Sequence, residues 1–248
     1  MCTLSFIPRN DGYLVAMNRD ELRIRAAAAA PTLHQIDQLR LLYPQEPSGG
    51  TWIGANSHGN LLALMNANPP KTAGLGVAKL LAKLKSRGEI IPMILQKNTL
   101  DQTERALSGF SFAGMHPFRL FGVFPGAKEV RQWSWDGRRL SSRTQEWIRN
   151  HWFSSSRSDS RAEKQRGKTF EMGWREDLQD PAAWLRSLHA GHVPDAGAFS
   201  VCVHRQDAAT VSYTEVQCAG QELRMTYQPG NPCEVRGTPT SVVLTLAQ

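Results

Sequence analysis

Short apolar runs broken by turn residues open the chain: Leu4-Ser5-Phe6-Ile7, then Arg9-Asn10-Asp11-Gly12, then Tyr13-Leu14-Val15-Ala16-Met17. That order predicts a β-hairpin. A second hairpin follows, from Thr51 to Ala55, through Asn56-Ser57-His58-Gly59, and back along Asn60 to Asn66, with Pro69-Pro70 ending its second strand. Between Leu75 and Asn98 the apolar spacing turns helical, Gly88 and Pro92 dividing the stretch into two pieces, and Asp101 to Leu107 predicts a further short helix. Strand character returns at Phe118 to Phe124 and Val130 to Trp135, separated by Pro125-Gly126. Ser154 to Lys168 shows no apolar period and is expected to be a mobile surface loop. Pro181 to Leu188, with proline at the first helical position, predicts a short helix. Strands are expected at Phe199 to His204, Thr210 to Val216 and Glu222 to Tyr227, and Val242 to Leu246 supplies a fourth. Strands at both ends flank central helices without strict βαβ alternation, so the fold class is α+β with antiparallel sheets.

Composition narrows the picture. The 248 residues read as one domain over 1–248, and 41% hydrophobic with 21% charged residues supports a folded core. A formal charge of +7 favours anionic partners, an acidic small molecule among them, and is explained as well by simple solubility. Nucleic acid is not expected, because the basic residues are dispersed among acids and no zinc-finger or RNA-binding signature is present. The first residues lack a secretory signal and no long apolar run occurs, so a cytoplasmic protein without membrane insertion is expected.

Cys2, Cys202, Cys218 and Cys233 form no CxxC pair, and Cys202 reads as a small buried hydrophobe within Phe199-Ser200-Val201-Cys202-Val203. The single HxxH, His189 and His192, straddles Gly191 without a thiol or carboxylate partner nearby in sequence, so neither a metal site nor a cofactor is expected.

Position 2 carries the chemistry. Removal of Met1 would leave Cys2 with a thiol and an α-amine on one residue, and an amine of pKa near 7.7 can serve as general base to its own thiol. Hairpin arithmetic places Cys2 opposite Arg19, Asp20 or Glu21, depending on whether the turn is Asn10-Asp11, a three-residue loop including Gly12, or Asp11-Gly12. Under every register Cys2 meets Asn18-Arg19-Asp20-Glu21.

Met1-Cys2-Thr3, Asn18-Arg19-Asp20-Glu21, Gly49-Gly50-Thr51-Trp52-Ile53-Gly54 and Ser86-Arg87-Gly88 resemble, in order, the NRDE family that includes Transport and Golgi organisation 2. More widely, the chain resembles N-terminal nucleophile (Ntn) hydrolases of the choloylglycine hydrolase and penicillin V acylase type. One departure from the acylases is that here Asn18 precedes Arg19, so the face Arg19 takes depends on register.

The resemblance implies a four-layer αββα sandwich and cleavage of a non-peptide C–N bond in a small acyl compound. Cys2 would be the nucleophile, with Arg19 and Asp20 tuning it and Asn66, at the end of Gly59 to Asn66, as oxyanion donor. Asn18 and Glu21 are expected at the substrate, whereas Trp52 is expected to pack between layers and Gly49-Gly50 to make a tight turn. The alternative implied is a non-catalytic haem or acyl-lipid binding protein.

Overall fold

The computed structural model describes residues 2–68, 85–175, 177–193, 195–234 and 237–247. In chain order its strands are β1 (Cys2–Arg9), β2 (Gly12–Leu22), β3 (Ala29–Ile36), β4 (Leu39–Gln45), β5 (Ile53–Asn56), β6 (Leu61–Asn66) and β7 (Phe118–Phe124). They continue with β8 (Glu129–Trp135), β9 (Leu140–Gln145), β10 (Asn150–Ser154), β11 (Ala208–Ala219), β12 (Glu222–Pro229) and β13 (Thr240–Thr245). One antiparallel sheet has the order β10-β1-β2-β11-β12-β13, and the other runs β3 to β9 in sequence order.

Leu4, Phe6, Val15 and Met17 of the first sheet pack against Ile53, Ala55, Leu61, Ala63 and Phe121 of the second. The outer face of the second sheet, with Leu41, Leu62, Leu64 and Leu120, is covered by α1 (Ile90–Ile94) and α2 (Leu100–Ser108). The outer face of the first, with Ile7, Leu14, Ala16 and Tyr213, is covered by α3 (Asp159–Gly173) and α4 (Pro181–His189). The layers are therefore α, β, β, α. Burial on both faces is why β2 and β6 read as nearly continuous apolar runs rather than alternating ones.

The strand period of two sorts β1 cleanly. Cys2, Leu4 and Phe6 enter the layer between the sheets. Thr3, Ser5 and Ile7 face the helices, where Thr3 Oγ1 accepts from Arg166 and Ser5 meets His189.

Two expectations fail. Ser154 to Lys168 is not a loop: Ser158 caps α3 by accepting from Arg161 N, and the helix buries Ala162, Arg166 and Phe170. That stripe at i, i+4 and i+8 has an arginine in its middle, so a search for apolar periodicity passes over it. Phe199 to His204 is not a strand but a buried, bending segment with only the bridges Gly197↔Val203 and His204↔Ala209. Its apolar run reflects burial, and its N–H groups go elsewhere, Cys202 N to Gly191 O and Val203 N to Thr210 Oγ1. The expected helical stretch from Leu75 is met by a 3-10 turn at Arg87–Glu89 and by α1, while 69–84, including Pro69-Pro70, lies outside the described residues.

His189 pins α4 to the first sheet. Asn18 Nδ2 donates to the carbonyls of His189 and Val201, which turns its Oδ1 toward His189 Nδ1 at 3.0 Å. Nδ1 therefore carries the proton, and Nε2 accepts from the Ser5 hydroxyl at 2.8 Å. Burial, reinforced by the Arg166 charge, lowers His189 to about 3. Above the ordinary histidine pKa the folded and unfolded chains bind the same number of protons here. As pH falls from about 6.5 toward 3, only the unfolded chain gains one, and stability should fall by up to about 1.4 kcal/mol per pH unit. His151, also held low chiefly by burial, adds to the same slope. Urea midpoints at pH 7 and pH 4.5 should draw closer together in His189→Gln than in the parent chain; an unchanged gap would contradict this reading.

Candidate active site

The hairpin selects one of the three open registers. Arg9 pairs with Gly12 across Asn10-Asp11, and Cys2 therefore lies opposite Arg19. On the other side of β1, Cys2 pairs with Ser154 of β10. Arg19 follows Cys2 into the layer between the sheets, while Asn18 and Asp20 turn toward the helices.

A cavity of about 370 Å³ opens at this end of the sandwich, bordered by Cys2, Arg19, Asp20, Glu21, Arg25, Glu46, Thr51, Trp52, Leu64, Asn66, Lys85, Ser86, Arg87, Gly88 and His116. Five of the six residues singled out by sequence meet there. Asn18 does not: its amide is spent on His189 and Val201 on the α4 side, so it positions that helix rather than touching the cavity.

Arg19 is nearly buried, stacks over the Trp52 ring at 4.5 Å and is bound by Glu46 and, at 3.4 Å, by Glu21. Glu21 borders the cavity, but its oxygens are engaged, Oε1 by Leu22 N and Oε2 by Arg25 and Arg19. It holds the two arginines. Trp52 packs in the core between the sheets, as expected, and also borders the cavity, with Nε1 buried and without a hydrogen-bond partner among the described residues. Asn66 ends β6 opposite Phe118 and is half-buried at the cavity wall.

Asp20 is fully buried in its side chain; Oδ1 accepts from Thr210 Oγ1 at 2.6 Å and Oδ2 lies 3.6 Å from Arg166 Nη2. Burial pushes its carboxyl up, against the pull of Arg166 and Thr210. Arg166 also donates to Thr3 Oγ1 at 2.8 Å and reaches the Cys2 carbonyl at 3.4 Å. Burial pushes the Cys2 thiol up and Asp20 adds to it, while the Asp20 backbone hydrogen bond and the Arg19 charge act in the opposite direction.

Sequence reasoning missed Arg166, hidden in the segment read as a loop, and Arg87. Arg87 was legible in the Ser86-Arg87-Gly88 motif, yet its place depends on a distant contact. Gly50 and Gly88 approach so closely that a Cβ on either would lie 3.0 Å from the other's Cα, and Thr51 N donates to Gly88 O. A Cβ on either side would force the facing backbone to give by a few tenths of an ångström, and the contact carries Arg87 to the cavity rim. The Gly49-Gly50 pair does make the expected turn, Gly49 having φ +89°. Arg19 and Arg25 are neutralised by Glu21 and Glu46, whereas Lys85 and Arg87 have no ion pair among the described residues. The rim keeps positive charge in hand.

The HxxH expectation also changes. His189 belongs to the α4 anchor, but His192 lies beside Cys202, His204 and Cys233, four potential ligand atoms within 4.8 Å of one another. The expected absence of any metal-ligand set rested on sequence distance, which the fold removes.

The sequence profile described as Transport and Golgi organisation 2 matches residues 1–172. No curated protein matches the sequence. Among solved structures, the fold is similar to penicillin V acylase from Agrobacterium tumefaciens, with TM-score 0.54 and 8% identity over 99% of this chain and 86% of that one. It is similar to the N-acylethanolamine-hydrolyzing acid amidase ortholog of Caenorhabditis elegans, with TM-score 0.60 and 12% identity over 87% and 92%. It is also similar to the C2A mutant of conjugated bile acid hydrolase from Clostridium perfringens, with TM-score 0.52 and 10% identity over 98% and 92%. These likenesses show the Ntn-hydrolase fold. Among the described residues no helix is long and apolar enough to cross a membrane.

Removing one member of a buried ion pair leaves the other charge unpaired, at a cost of about 3–5 kcal/mol. Arg166→Met should destabilise the chain by about that amount at pH 7, and adding Asp20→Asn should recover part of the loss. Denaturant titration of the single and double variants checks this; a loss below about 1 kcal/mol in Arg166→Met, within the range of an exposed pair, would contradict it.

Proposed function

The chain belongs to the Transport and Golgi organisation 2 family, and on that footing we propose that it is an N-terminal-cysteine amidohydrolase acting on a non-peptide amide of a small, anionic acyl compound. The observation that carries this reading is the placement of Cys2 on the cavity wall, paired with Arg19 and beside the buried Asp20. An N-terminal nucleophile needs its own α-amine, so the active form lacks Met1.

In the proposed first step the Cys2 α-amine takes the thiol proton and the sulfur attacks the acyl carbon, opening the carbonyl to a tetrahedral oxyanion. Asn66, at the cavity wall, donates to that oxygen. The C–N bond then breaks as the α-ammonium returns its proton to the leaving amine, and a thioester remains on Cys2. Water, deprotonated by the same amine, attacks the thioester; the C–S bond breaks, the carboxylic acid leaves and the thiol is restored.

Arg19 and Asp20 are positioning residues in this scheme. Arg19 favours thiolate over thiol, and Asp20 fixes the strand end that carries the nucleophile's neighbours. Lys85 and Arg87 at the rim suit a negatively charged substituent on the substrate. A cavity of about 370 Å³ suits a small acyl compound.

The test is turnover of a panel of N-acyl amides, with and without a carboxylate on either side of the scissile bond, by the parent chain and two variants. Cys2→Ala should keep the fold and lose turnover. Asn66→Ala should turn over about 10²- to 10³-fold more slowly. Steady turnover by Cys2→Ala would overturn the nucleophile. If the parent chain turns over nothing while binding haem or an acyl lipid, and Cys2→Ala binds equally well, the protein is a carrier.

A further inference from the structure

Far from Cys2 in sequence, two segments bring two histidines and two cysteines to one point. His192, Cys202 and His204 lie on the connection between α4 and β11, and Cys233 follows β12. Cys202 Sγ is 3.5 Å from Cys233 Sγ and 3.6 Å from His204 Nε2, which is 3.2 Å from Cys233 Sγ. The His192 and His204 rings meet at 4.8 Å between centroids. His192 Nε2 is buried and finds no hydrogen-bond partner among the described residues.

Four donors around a zinc ion at about 2.3 Å for sulfur and about 2.0 Å for nitrogen lie roughly 3.3–3.8 Å apart along the edges of a tetrahedron. The three separations among Cys202, His204 and Cys233 fall around that range, all four ligand atoms lie within 4.8 Å of one another, and the donor set is two soft thiolates with two imidazoles. Hydrogen bonding alone does not account for the arrangement, since it leaves His192 Nε2 unsatisfied in the interior.

We propose that His192, Cys202, His204 and Cys233 form a Cys2His2 site for one Zn2+. All four positions are filled by protein, so the site is structural rather than catalytic. Cys202 is fully buried and the other three ligands are half-buried, which leaves the ion a path in from the surface. Binding would take both cysteines as thiolates, releasing two protons. The ion would tie the α4–β11 connection to the segment after β12. That connection reaches the candidate active site through two bonds: Val203 N donates to Thr210 Oγ1, and Thr210 Oγ1 donates to Asp20 Oδ1. The zinc site stands independently of the hydrolase reading, since its ligands are outside the cavity.

The test is a Co2+ titration of the full chain, purified under reducing conditions and stripped with a chelator. The expected result is saturation at one ion per chain, with the visible bands of tetrahedral cobalt and a thiolate-to-metal charge-transfer band. Zn2+ should then displace the colour at one equivalent and raise Tm. Cys233→Ser and His192→Ala should each lose the tetrahedral spectrum or saturate only at much higher Co2+. A reduced parent chain that gives no tetrahedral thiolate spectrum overturns the proposal without recourse to a variant. So does metal binding unchanged in the Cys202→Ser, Cys233→Ser double variant, or fresh isolation from a reducing lysate with Cys202 and Cys233 already joined as a disulfide and no metal bound.

Discussion

Asp20 sits where a carboxylate costs several kcal/mol to bury unless charge and hydrogen bonds surround it. Thr210 supplies the hydrogen bond from β11, and Arg166 supplies the charge from α3. Each of these partners draws in another part of the chain. Arg166 is held in turn by Thr3 on β1, and Thr210 by the backbone of Val203. One buried carboxylate thus joins the N-terminal strand, its hairpin partner, the neighbouring strand and a helix from the outer layer. The strand end carrying Cys2 cannot fray like an ordinary terminus while that set is intact.

The layer period decides which chemistry faces which way. Along β2, Arg19 enters the space between sheets with Cys2, while Asn18 and Asp20 meet the helices. The four-residue motif is therefore two devices laced together. Asn18 locks α4 through His189, and Arg19 with Glu21, Glu46 and Arg25 forms a charged wall to the cavity. The Gly50–Gly88 contact sets the backbone of Arg87, and its guanidinium, which donates to the Pro117 carbonyl, brings the rim charge.

Both hairpins and the short helices at 100–108 and 181–189 were legible because their apolar residues and turn residues fall in short local patterns. The register of the first hairpin was not, since Asn10, Asp11 and Gly12 permit three turns and only long-range packing chooses among them. Strand β9, Leu-Ser-Ser-Arg-Thr-Gln, is an exposed edge whose polar face gives no pattern, and β3 is an edge of the same kind. Helix α3 escaped notice because its buried stripe includes Arg166, which is inside for electrostatic reasons that a hydropathy reading cannot register. Cys2 could be placed beside Arg19 and Asp20 because one local hairpin carries all three, whereas Asn66, on the second hairpin, joined them only through the family resemblance. Arg166 and the His192–Cys233 cluster could not, because tertiary contacts alone bring them together.

Limited alkylation followed by intact mass and peptide mapping tests the proposed N-terminal nucleophile, Cys2, most directly. Cys202 and Cys218 are deeply buried, and Cys233 is half-buried, so accessibility alone would favour Cys233. On the present account Met1 is absent and Cys2 carries the first label, ahead of all three, because its own α-amine activates the thiol toward the cavity. Retention of Met1, or a Cys2 still unmodified once Cys233, Cys202 or Cys218 has reacted, would contradict it.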